Sequence, residues 1–156
     1  MILNKSDLEK EIPKWRAAGQ KIVLTNGCFD LIHVGHLRTF WEAKKLGDIL
    51  IVGINSDQSV RSLKGPTRPI ISENDRAELV AALKPVDYVI VFEELNASNL
   101  LELIRPDYYV KGGDYSMETL PERDTLIRLN IKLKTIPLVK GISTTELVKK
   151  IKNANI

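Results

Sequence analysis

Short apolar runs alternate along the chain with segments in which apolar residues recur every three or four positions. The runs are rich in β-branched residues, which predicts buried strands at residues 21–25, 48–54, 86–92, 107–111 and 132–136. The periodic segments predict helices; within residues 33–46, for example, Leu37, Phe40 and Trp41 recur at helical spacing. Five strands separated by helices predict βαβ units and a parallel sheet.

Capping residues, glycines and prolines mark the ends of the predicted helices. Ser6 opens the first helix, with Glu9 at its capping-box position, and Gly19 ends it. Pro13 is expected to kink that helix or to split it. The remaining helices are predicted to begin at residues 55–57, to run from Ser72 to residue 83, over residues 96–104 and 121–129, and to begin again at Ser143.

The strands are apolar almost without interruption, which is typical of a parallel sheet covered on both faces. Right-handed crossovers then predict an α/β, Rossmann-like, doubly wound five-stranded parallel sheet in a single domain. That domain would cover residues 1–156, with an N-terminal helical extension over 1–20 and a core over 21–152. Ligands of such sheets bind outside the carboxyl ends of the strands, so the polar loops after each strand should converge there.

Composition and charge narrow the class of protein. Hydrophobic residues make up 44% of the 156 residues and charged residues 28%, which is typical of a soluble globular domain. A net charge of +3 suits a protein that binds small anions and does not require nucleic acid. Cys28 is the only cysteine, and the sequence shows neither a signal-peptide pattern nor an apolar run long enough to cross a bilayer. We therefore expect a cytoplasmic protein without a nucleic-acid or membrane partner.

The only two histidines, His33 and His36, stand three positions apart at the start of a predicted helix. A helix start offers free N–H groups and a partial positive charge, both of which favour phosphate, and Gly35 would let a ligand approach the backbone. Ordinary packing and a zinc site are the alternatives. Zinc would need a third ligand, with Cys28 or Asp30 as the candidates, and this requirement argues against a metal site built from protein ligands.

Three common motifs are absent from the chain. It has no GxGxxG fingerprint after the first strand, no GxxxxGK[ST] loop and no GxSxG elbow. These absences disfavour an NAD-dependent oxidoreductase, a P-loop kinase and an α/β-hydrolase.

The segment ISTTE places hydroxyl groups at the start of the last predicted helix. Ser143 as the N-cap, with Glu146 as its capping-box partner, is the simplest interpretation. The alternative is a second phosphate-binding helix start, at which Thr144 and Thr145 would add hydroxyl donors.

Two further loops carry candidate ligand-binding residues. The basic segment 61–72, with its glycine and prolines, predicts a loop, and residues 64–76 carry Lys64, Arg68 and Arg76. This segment is either a solvated basic loop or a mobile lid whose cations stabilise charge in a transition state. After the fourth strand, Lys111 and Asp114 flank a glycine pair, where Asp114 either closes a turn or accepts from a ribose or adenine group.

Two of these segments resemble the motifs of a known superfamily. GCFDLIHVGH resembles the G-x-[FW]-D-x-x-H-x-G-H motif of the HxGH (cytidylyltransferase-like) nucleotidyltransferases, and ISTTE resembles their second motif. Within that superfamily, the chain is most similar to the D-glycero-β-D-manno-heptose 1-phosphate adenylyltransferase domain of the bifunctional heptose-phosphate kinase/adenylyltransferases. The stretches that carry this resemblance, between about residues 21 and 152, are NGCFDLIHVGH, AKKLGD, LIVGINSD, LKGPTRP, VDYVIVFEE, PDYYVKGGDY and ISTTELVKKI.

The resemblance implies a reaction and a set of site residues. AMP would be transferred from ATP, accompanied by Mg²⁺, to a heptose 1-phosphate, giving pyrophosphate and an ADP-heptose for lipopolysaccharide core synthesis. The implied catalytic residues are His33, His36, Lys64 and Arg76, with Arg68 in the lid or at the substrate. The implied nucleotide-binding residues are Cys28, Phe29, Asp30, Gly35, Lys111, Asp114, Ser143, Thr144 and Thr145.

Other interpretations stay open from the sequence. Glycerol-3-phosphate cytidylyltransferases share both motifs but usually carry threonine at the position of Cys28 and lack the KGGDY form, and FAD synthetases belong to the same superfamily. Ile142 stands where some members have arginine, and the motifs do not distinguish ATP from CTP. A non-catalytic nucleotide-binding module is disfavoured by the histidine pair. A homodimer could form through apolar or aromatic surface around Trp41 or Tyr88.

Overall fold

Five apolar segments form the predicted parallel sheet in the structure, a computed structural model that describes residues 1–113 and 115–154. Its strands are β1 (Ile22–Gly27), β2 (Ile49–Asn55), β3 (Tyr88–Phe92), β4 (Tyr108–Gly112) and β5 (Lys132–Ile136). Its helices are α1 (Lys5–Ala17), α2 (Val34–Lys44), α3 (Asp57–Lys64), α4 (Glu73–Ala81), α5 (Ser98–Ile104), α6 (Arg123–Arg128) and α7 (Thr144–Asn153). None of the described helices is long and apolar enough to cross a membrane.

The strand order is β3-β2-β1-β4-β5, and every neighbouring pair is parallel. The chain moves outward from β1 through β2 to β3, and it then crosses back to place β4 on the other side of β1. Ligands of open parallel sheets bind at such a reversal of strand order, here beyond the ends of β1 and β4. The predicted fold class is confirmed.

Helices cover both faces of the sheet, and the pleat sends alternate residues of β1 to opposite faces. On the face that we call the α2 face, α2 and α4 pack on the sheet through Phe40, Ala43, Ala77 and Val80, together with Val23 of β1. The opposite face, which we call the α5 face, carries α1, α5 and α6. Its core includes Leu8, Leu24, Leu101, Tyr109 and Leu126.

The first residues of the chain pack against the sheet. Ile2 forms a parallel bridge with Val89, and the backbone N–H of Leu3 donates to the Val89 carbonyl at 2.8 Å, so residues 1–3 lie along the outer edge of β3. Trp15 of α1 contacts the Tyr88 ring with centroids 4.8 Å apart. The predicted N-terminal extension is thus part of the α5-face core.

The predicted start of the first helix was wrong. Asn4, not Ser6, caps α1, because the Asn4 side chain accepts from the Asp7 N–H while the Asp7 carboxylate accepts from the Asn4 N–H. Asparagine is as effective an N-cap as serine, so the capping box of Asn4 and Asp7, which comes earlier in the chain, sets the start of the helix. Pro13 lies inside this one continuous helix and does not split it.

The predicted loop over residues 61–72 began too early. Arg61–Lys64 belong to α3, which starts at its N-cap Ser56 and is closed by Gly65 at φ +101°. Lysine and arginine favour helix as readily as loop, so only the glycine and prolines marked the irregular part. The irregular segment is therefore residues 65–72, and Ser72 caps α4 as predicted.

Candidate active site

A cavity of about 530 Å³ opens beyond the carboxyl ends of the strands. It brings together most residues predicted from the motifs, namely Cys28, Phe29, Asp30, His33, Gly35, His36, Lys64, Arg68, Lys111, Ser143, Thr144 and Thr145. Arg76 does not line it, and Asp114 lies outside the described residues. The loops after separate strands therefore converge as the fold class predicted.

The turn from β1 into α2 is held by a buried aromatic residue. Phe29 adopts φ +47°, a left-handed conformation that costs a residue with a side chain roughly 1–2 kcal/mol. Its ring lies edge-on to His36, with centroids 5.3 Å apart, and contacts Phe40 at 5.2 Å. At Gly27 a Cβ atom would approach the Phe29 ring to 3.0 Å, so a larger residue would press on this ring. The Phe29 ring thus packs the turn against the first turns of α2.

The two histidine rings stack at the start of α2 with their centroids 3.8 Å apart. The backbone N–H of Gly35 donates to Nδ1 of His33 at 3.1 Å, and the N–H of His33 donates to Nδ1 of His36 at 3.4 Å. A neutral imidazole whose Nδ1 accepts a hydrogen bond carries its proton on Nε2. Each ring thus offers an Nε2–H donor for a ligand in the cavity.

Both histidines are electrically neutral at physiological pH. Burial lowers the pKa of His36 to about 4, with a smaller contribution from His33, and burial also lowers the pKa of His33. Neutral Nε2–H groups can donate to phosphoryl oxygens without the desolvation penalty of a buried cation. The pair is therefore suited to donating hydrogen bonds at a helix start, where the free N–H groups also favour an anion.

Gly35 has a structural role that the sequence did not reveal. A Cβ atom at this position would lie 2.9 Å from Cε1 and Nδ1 of His33, so a larger residue would displace the stacked ring. Gly35 also lines the cavity, and its predicted role in admitting the ligand to the backbone stays a prediction.

A second helix start lies beside the first. The side chain of Ser143 caps α7 by accepting from the N–H of Glu146 at 3.1 Å, which confirms the predicted N-cap. The carbonyl oxygen of Ile142 lies 4.0 Å from where a Gly35 Cβ would be, so the starts of α7 and α2 are neighbours. Thr144 and Thr145 line the cavity there. Two helix starts thus face one space.

Asp30 anchors the segment 65–72 over the cavity. Its side chain is 1% exposed and accepts from Nε of Arg68 at 2.5 Å and from the N–H groups of Ile70 and Ile71 at 2.8–3.0 Å. Burial by itself would raise the pKa of Asp30, but the hydrogen bonds from Ile71, Ile70 and Arg68 lower it below its ordinary value. Asp30 therefore orders the loop as a carboxylate, and Arg68 is held in an ion pair.

The predicted position of Arg76 in a mobile lid was wrong. Arg76 lies in α4, fully buried, and donates to the Cys28 carbonyl at 2.5 Å, the Ile71 carbonyl at 3.0 Å and the Asp57 carboxylate at 2.8 Å. These bonds tie the turn after β1 and the segment before α4 to the start of α3, and the predicted catalytic role of Arg76 stays a prediction. Lys64, exposed at the end of α3, lines the cavity on this side.

The candidates for a third zinc ligand do not complete a site. Burial raises the pKa of the Cys28 thiol, which disfavours the thiolate that zinc binds, and among residues 1–113 and 115–154 no group of three or more His, Cys, Asp or Glu side chains could hold a metal ion. Asp30 is already engaged with Arg68, Ile70 and Ile71. The chemistry of this donor set favours the phosphate interpretation of the histidine pair.

At the other end of the cavity, on the α5 face, lies a polar cluster formed by Asn26, Tyr109, Lys111 and Glu122, of which Tyr109 and Glu122 are buried and all but Tyr109 line the cavity. Oδ1 of Asn26 accepts from the Tyr109 hydroxyl at 2.5 Å and from Nζ of Lys111 at 3.4 Å. Burial raises the pKa of Tyr109 and lowers the pKa of Lys111. Glu122 is 3% exposed and accepts from the N–H of Ala97 at 3.0 Å.

Sequence reasoning missed Asn26, Tyr109 and Glu122. Glu122 stands in the charged run PERD, which has the composition of a solvated helix start. The one available signal was position, since Asn26 and Tyr109 lie on the two strands that flank the reversal of strand order.

Comparisons with known proteins agree with this arrangement. A sequence model described as "Cytidylyltransferase-like" matches residues 24–150. The chain is 48% identical to the "Bifunctional protein HldE" of Syntrophotalea carbinolica over 136 residues, covering 87% of this chain and 28% of the relative. It is 46% identical to the protein of the same name from Wolinella succinogenes, covering 98% of this chain and 31% of the relative. The chain thus spans under a third of the length of these curated relatives.

A solved structure of a related protein has a similar fold. The lipopolysaccharide core biosynthesis protein from Thermoplasma volcanium superposes with a TM-score of 0.64 at 31% identity. The superposition covers 80% of this chain and all of that protein's chain.

Proposed function

Because the chain belongs to the cytidylyltransferase-like family, we propose that it is an adenylyltransferase acting on a heptose 1-phosphate. It would transfer AMP from ATP and release pyrophosphate, giving an ADP-heptose for the lipopolysaccharide core in the cytoplasm. The observation that carries the proposal is the stacked, neutral histidine pair with both Nε2–H groups available at a helix start. The name of the Thermoplasma volcanium protein and the KGGDY and LKGPTRP stretches support the choice of acceptor.

The proposed reaction is direct attack of an acceptor phosphate oxygen on the α-phosphorus of ATP. The new P–O bond forms as the bond from the α-phosphorus to the pyrophosphate oxygen breaks, and the electron pair leaves with pyrophosphate. The attacking phosphate is already anionic, so no general base is required. Catalysis then depends on positioning and on stabilising the developing negative charge.

The residues around the two helix starts would hold the triphosphate. His33 and His36 donate from Nε2, while Ser143, Thr144 and Thr145 place hydroxyl and N–H groups opposite them. The backbone at Cys28 and Phe29 would contribute further contacts. Lys64 would act as the cation on the open side, and Arg68 would reach the substrate only by leaving Asp30.

Mg²⁺ would accompany ATP. Asp30 is occupied by its own hydrogen bonds, so the donors near the histidines fit an ion carried mainly by triphosphate oxygens and water. Such an ion would supply charge neutralisation along the triphosphate.

The predicted contact of Lys111 with the nucleotide stays a prediction, and we propose the acceptor phosphate as the alternative contact. Lys111 belongs to the polar cluster of the α5 face, across the strand ends from α2, which favours this alternative. Asp114 stays a predicted nucleotide contact. A homodimer also stays a prediction, with Trp41, 40% exposed, as its candidate contact.

A substrate matrix tests the proposal. Purified protein is given ATP, CTP or GTP in combination with heptose 1-phosphate, glycerol 3-phosphate or FMN, and pyrophosphate release is measured. We expect turnover with ATP and heptose 1-phosphate. Faster turnover with CTP and glycerol 3-phosphate would show that these are the substrates and would leave the proposed mechanism unchanged. Faster turnover with ATP and FMN would indicate an FAD synthetase. Nucleotide binding without pyrophosphate release in any combination would indicate a binding module.

A further inference from the structure

We propose that Glu122 selects the acceptor by accepting a hydrogen bond from a hydroxyl group of the sugar phosphate. This inference rests on the proposed function and adds a specificity-determining residue to it. Four observations support it: the burial of Glu122, its unpartnered oxygen, its place in the cavity and the geometry of the transfer.

Glu122 has one satisfied and one unsatisfied carboxylate oxygen. Oε1 accepts from the N–H of Ala97 at the start of α5, and this bond fixes the side chain. Oε2 is buried and has no hydrogen-bond partner among residues 1–113 and 115–154. Tyr109 is close enough to Glu122 for the carboxylate to add to the effect of burial in raising the pKa of the Tyr109 hydroxyl, and that hydroxyl donates to Oδ1 of Asn26 at 2.5 Å. A buried polar atom without a partner is rare and calls for a ligand that pairs with it.

The location of Glu122 separates it from the triphosphate. His33, His36 and the start of α7 lie at the α2-face end of the cavity, whereas Glu122 contacts α5 and lines the other end. A carboxylate accepts hydrogen bonds only from O–H or N–H groups, so within this cluster the neighbouring Lys111 ammonium, and not Glu122, would hold a phosphate. Oε2 is therefore matched to a hydrogen-bond donor and not to another part of the triphosphate.

The geometry of the reaction directs the acceptor to this end. The attacking oxygen and the leaving pyrophosphate lie roughly in line across the phosphorus. If the two helix starts hold the leaving pyrophosphate, the acceptor approaches from the α5 face. Lys111 is available there for the acceptor phosphate, and Asn96, whose Oδ1 accepts from the Ser98 N–H, adds an amide to the lining. A cation, amides and a free carboxylate oxygen together suit a phosphorylated polyol.

The variant Glu122→Gln tests the proposal with a series of acceptors. The amide oxygen of glutamine can still accept from Ala97, while its NH₂ group replaces the accepting Oε2. The acceptors are D-glycero-β-D-manno-heptose 1-phosphate and its monodeoxy analogues, each assayed with ATP by pyrophosphate release. In the native enzyme we expect one analogue to lose roughly 10- to 100-fold in kcat/KM relative to the parent sugar. In Glu122→Gln that analogue and the parent should differ less than about threefold, with KM for ATP unchanged.

The matched control is Glu118→Gln, an exposed glutamate four residues earlier, which should keep the native discrimination. Full discrimination against every deoxy analogue in Glu122→Gln would overturn the proposal. A changed preference between ATP and CTP with unchanged acceptor discrimination would show that Glu122 contacts the base instead. A raised Mg²⁺ requirement with unchanged acceptor discrimination would assign it to the metal. Each of these results contradicts the proposal.

Two measurements on the native enzyme keep the test decisive if the variant does not fold. If every deoxy analogue loses less than about threefold in kcat/KM relative to the parent sugar, the role of Glu122 is overturned while the proposed function stands. Absence of turnover with the parent sugar, in contrast, would overturn the proposed function and this inference with it. The two failures are therefore distinguishable.

Discussion

The two helix starts that face the cavity differ in how firmly the protein holds them. Phe40 and Ala43 of α2 are fully buried, and Phe29 buttresses the His36 ring, so the first helix is part of the core. No residue of α7 is buried, and Ile151 is 56% exposed. The difference indicates that one half of the proposed phosphate site is preorganised, while the other half can adjust to the ligand.

This contrast indicates different roles for the two helix starts, although the sequence motifs predict phosphate binding at both. A preorganised donor pair stabilises charge in the transition state without reorganisation. A weakly packed helix start contributes binding energy only after it closes on the nucleotide. Changes in α2 should therefore affect stability and kcat, and changes in α7 should affect mainly KM for ATP.

The largest expected effect comes from Phe40→Ala. Removing this fully buried ring should lower the free energy of unfolding by about 3–5 kcal/mol. The matched change Ile151→Ala in α7, whose side chain is 56% exposed, should cost less than about 1 kcal/mol. Urea denaturation measures both, and equal losses would contradict the contrast.

The next effect is on catalysis. His36→Ala should lower kcat by about 10²–10³-fold, because it removes one preorganised donor to the transferring phosphoryl group. His36→Gln, whose amide nitrogen can reach toward the former Nε2, should lose less. Steady-state pyrophosphate release measures the rates, and far-UV circular dichroism checks the fold. Near-normal activity of a folded His36→Ala protein would remove His36 from the mechanism.

A smaller effect is expected at the start of α7. Ser143→Ala removes the cap and should raise KM for ATP by about 3–10-fold with little change in melting temperature, because no residue of α7 is buried and this helix can open without exposing the core. Ser72→Ala removes the same kind of cap from α4, which packs in the core. That control should lower the melting temperature and leave KM unchanged. The reverse pattern would mean that α7 is the more rigid helix.

The smallest effect concerns pH. His36 has a pKa of about 4 in the folded protein and an ordinary value of about 6.5 when unfolded, so it is neutral in the fold. Because the unfolded chain binds the proton more tightly, this group's contribution to stability is full above pH 6.5 and is lost as the pH falls toward 4. Activity should accordingly show no histidine transition between pH 6 and 8. A drop in kcat centred near pH 6.5 that His36→Gln abolishes would contradict the neutral pair.

The sequence predicted the sheet, the loops that carry the site and the family, because strand hydrophobicity and spaced motifs are local signals. It placed β5 at its observed bounds and Ser72 and Ser143 at their caps. It did not predict the partners of long side chains. Trp41 shares the spacing of Phe40 but is 40% exposed, because the buried stripe of α2 runs through Ala43.

Arg76 and Glu122 show why the rest of the site could not be predicted. Arg76 follows a basic loop in sequence, yet two of its three acceptors come from residues 19 and 48 positions away. Glu122 accepts a hydrogen bond from the N–H of Ala97, which stands 25 positions earlier in the chain. A charged residue is ordinarily solvated, and only tertiary contacts identify the few that are buried with partners. The structure was needed for these two, whereas the histidine pair was evident from its spacing.

The contacts of residues 1–3 also affect how the protein behaves at high concentration. An open sheet has two outer strands whose free N–H and C=O groups can recruit another chain. Here one outer strand, β3, is covered by the bridge from Ile2 to Val89. The other, β5, alternates Lys132 and Lys134 with less polar neighbours. The edge at β3 is thus covered by the backbone of residues 1–3, and the edge at β5 carries lysine charges. Both features oppose edge-to-edge aggregation of the folded protein.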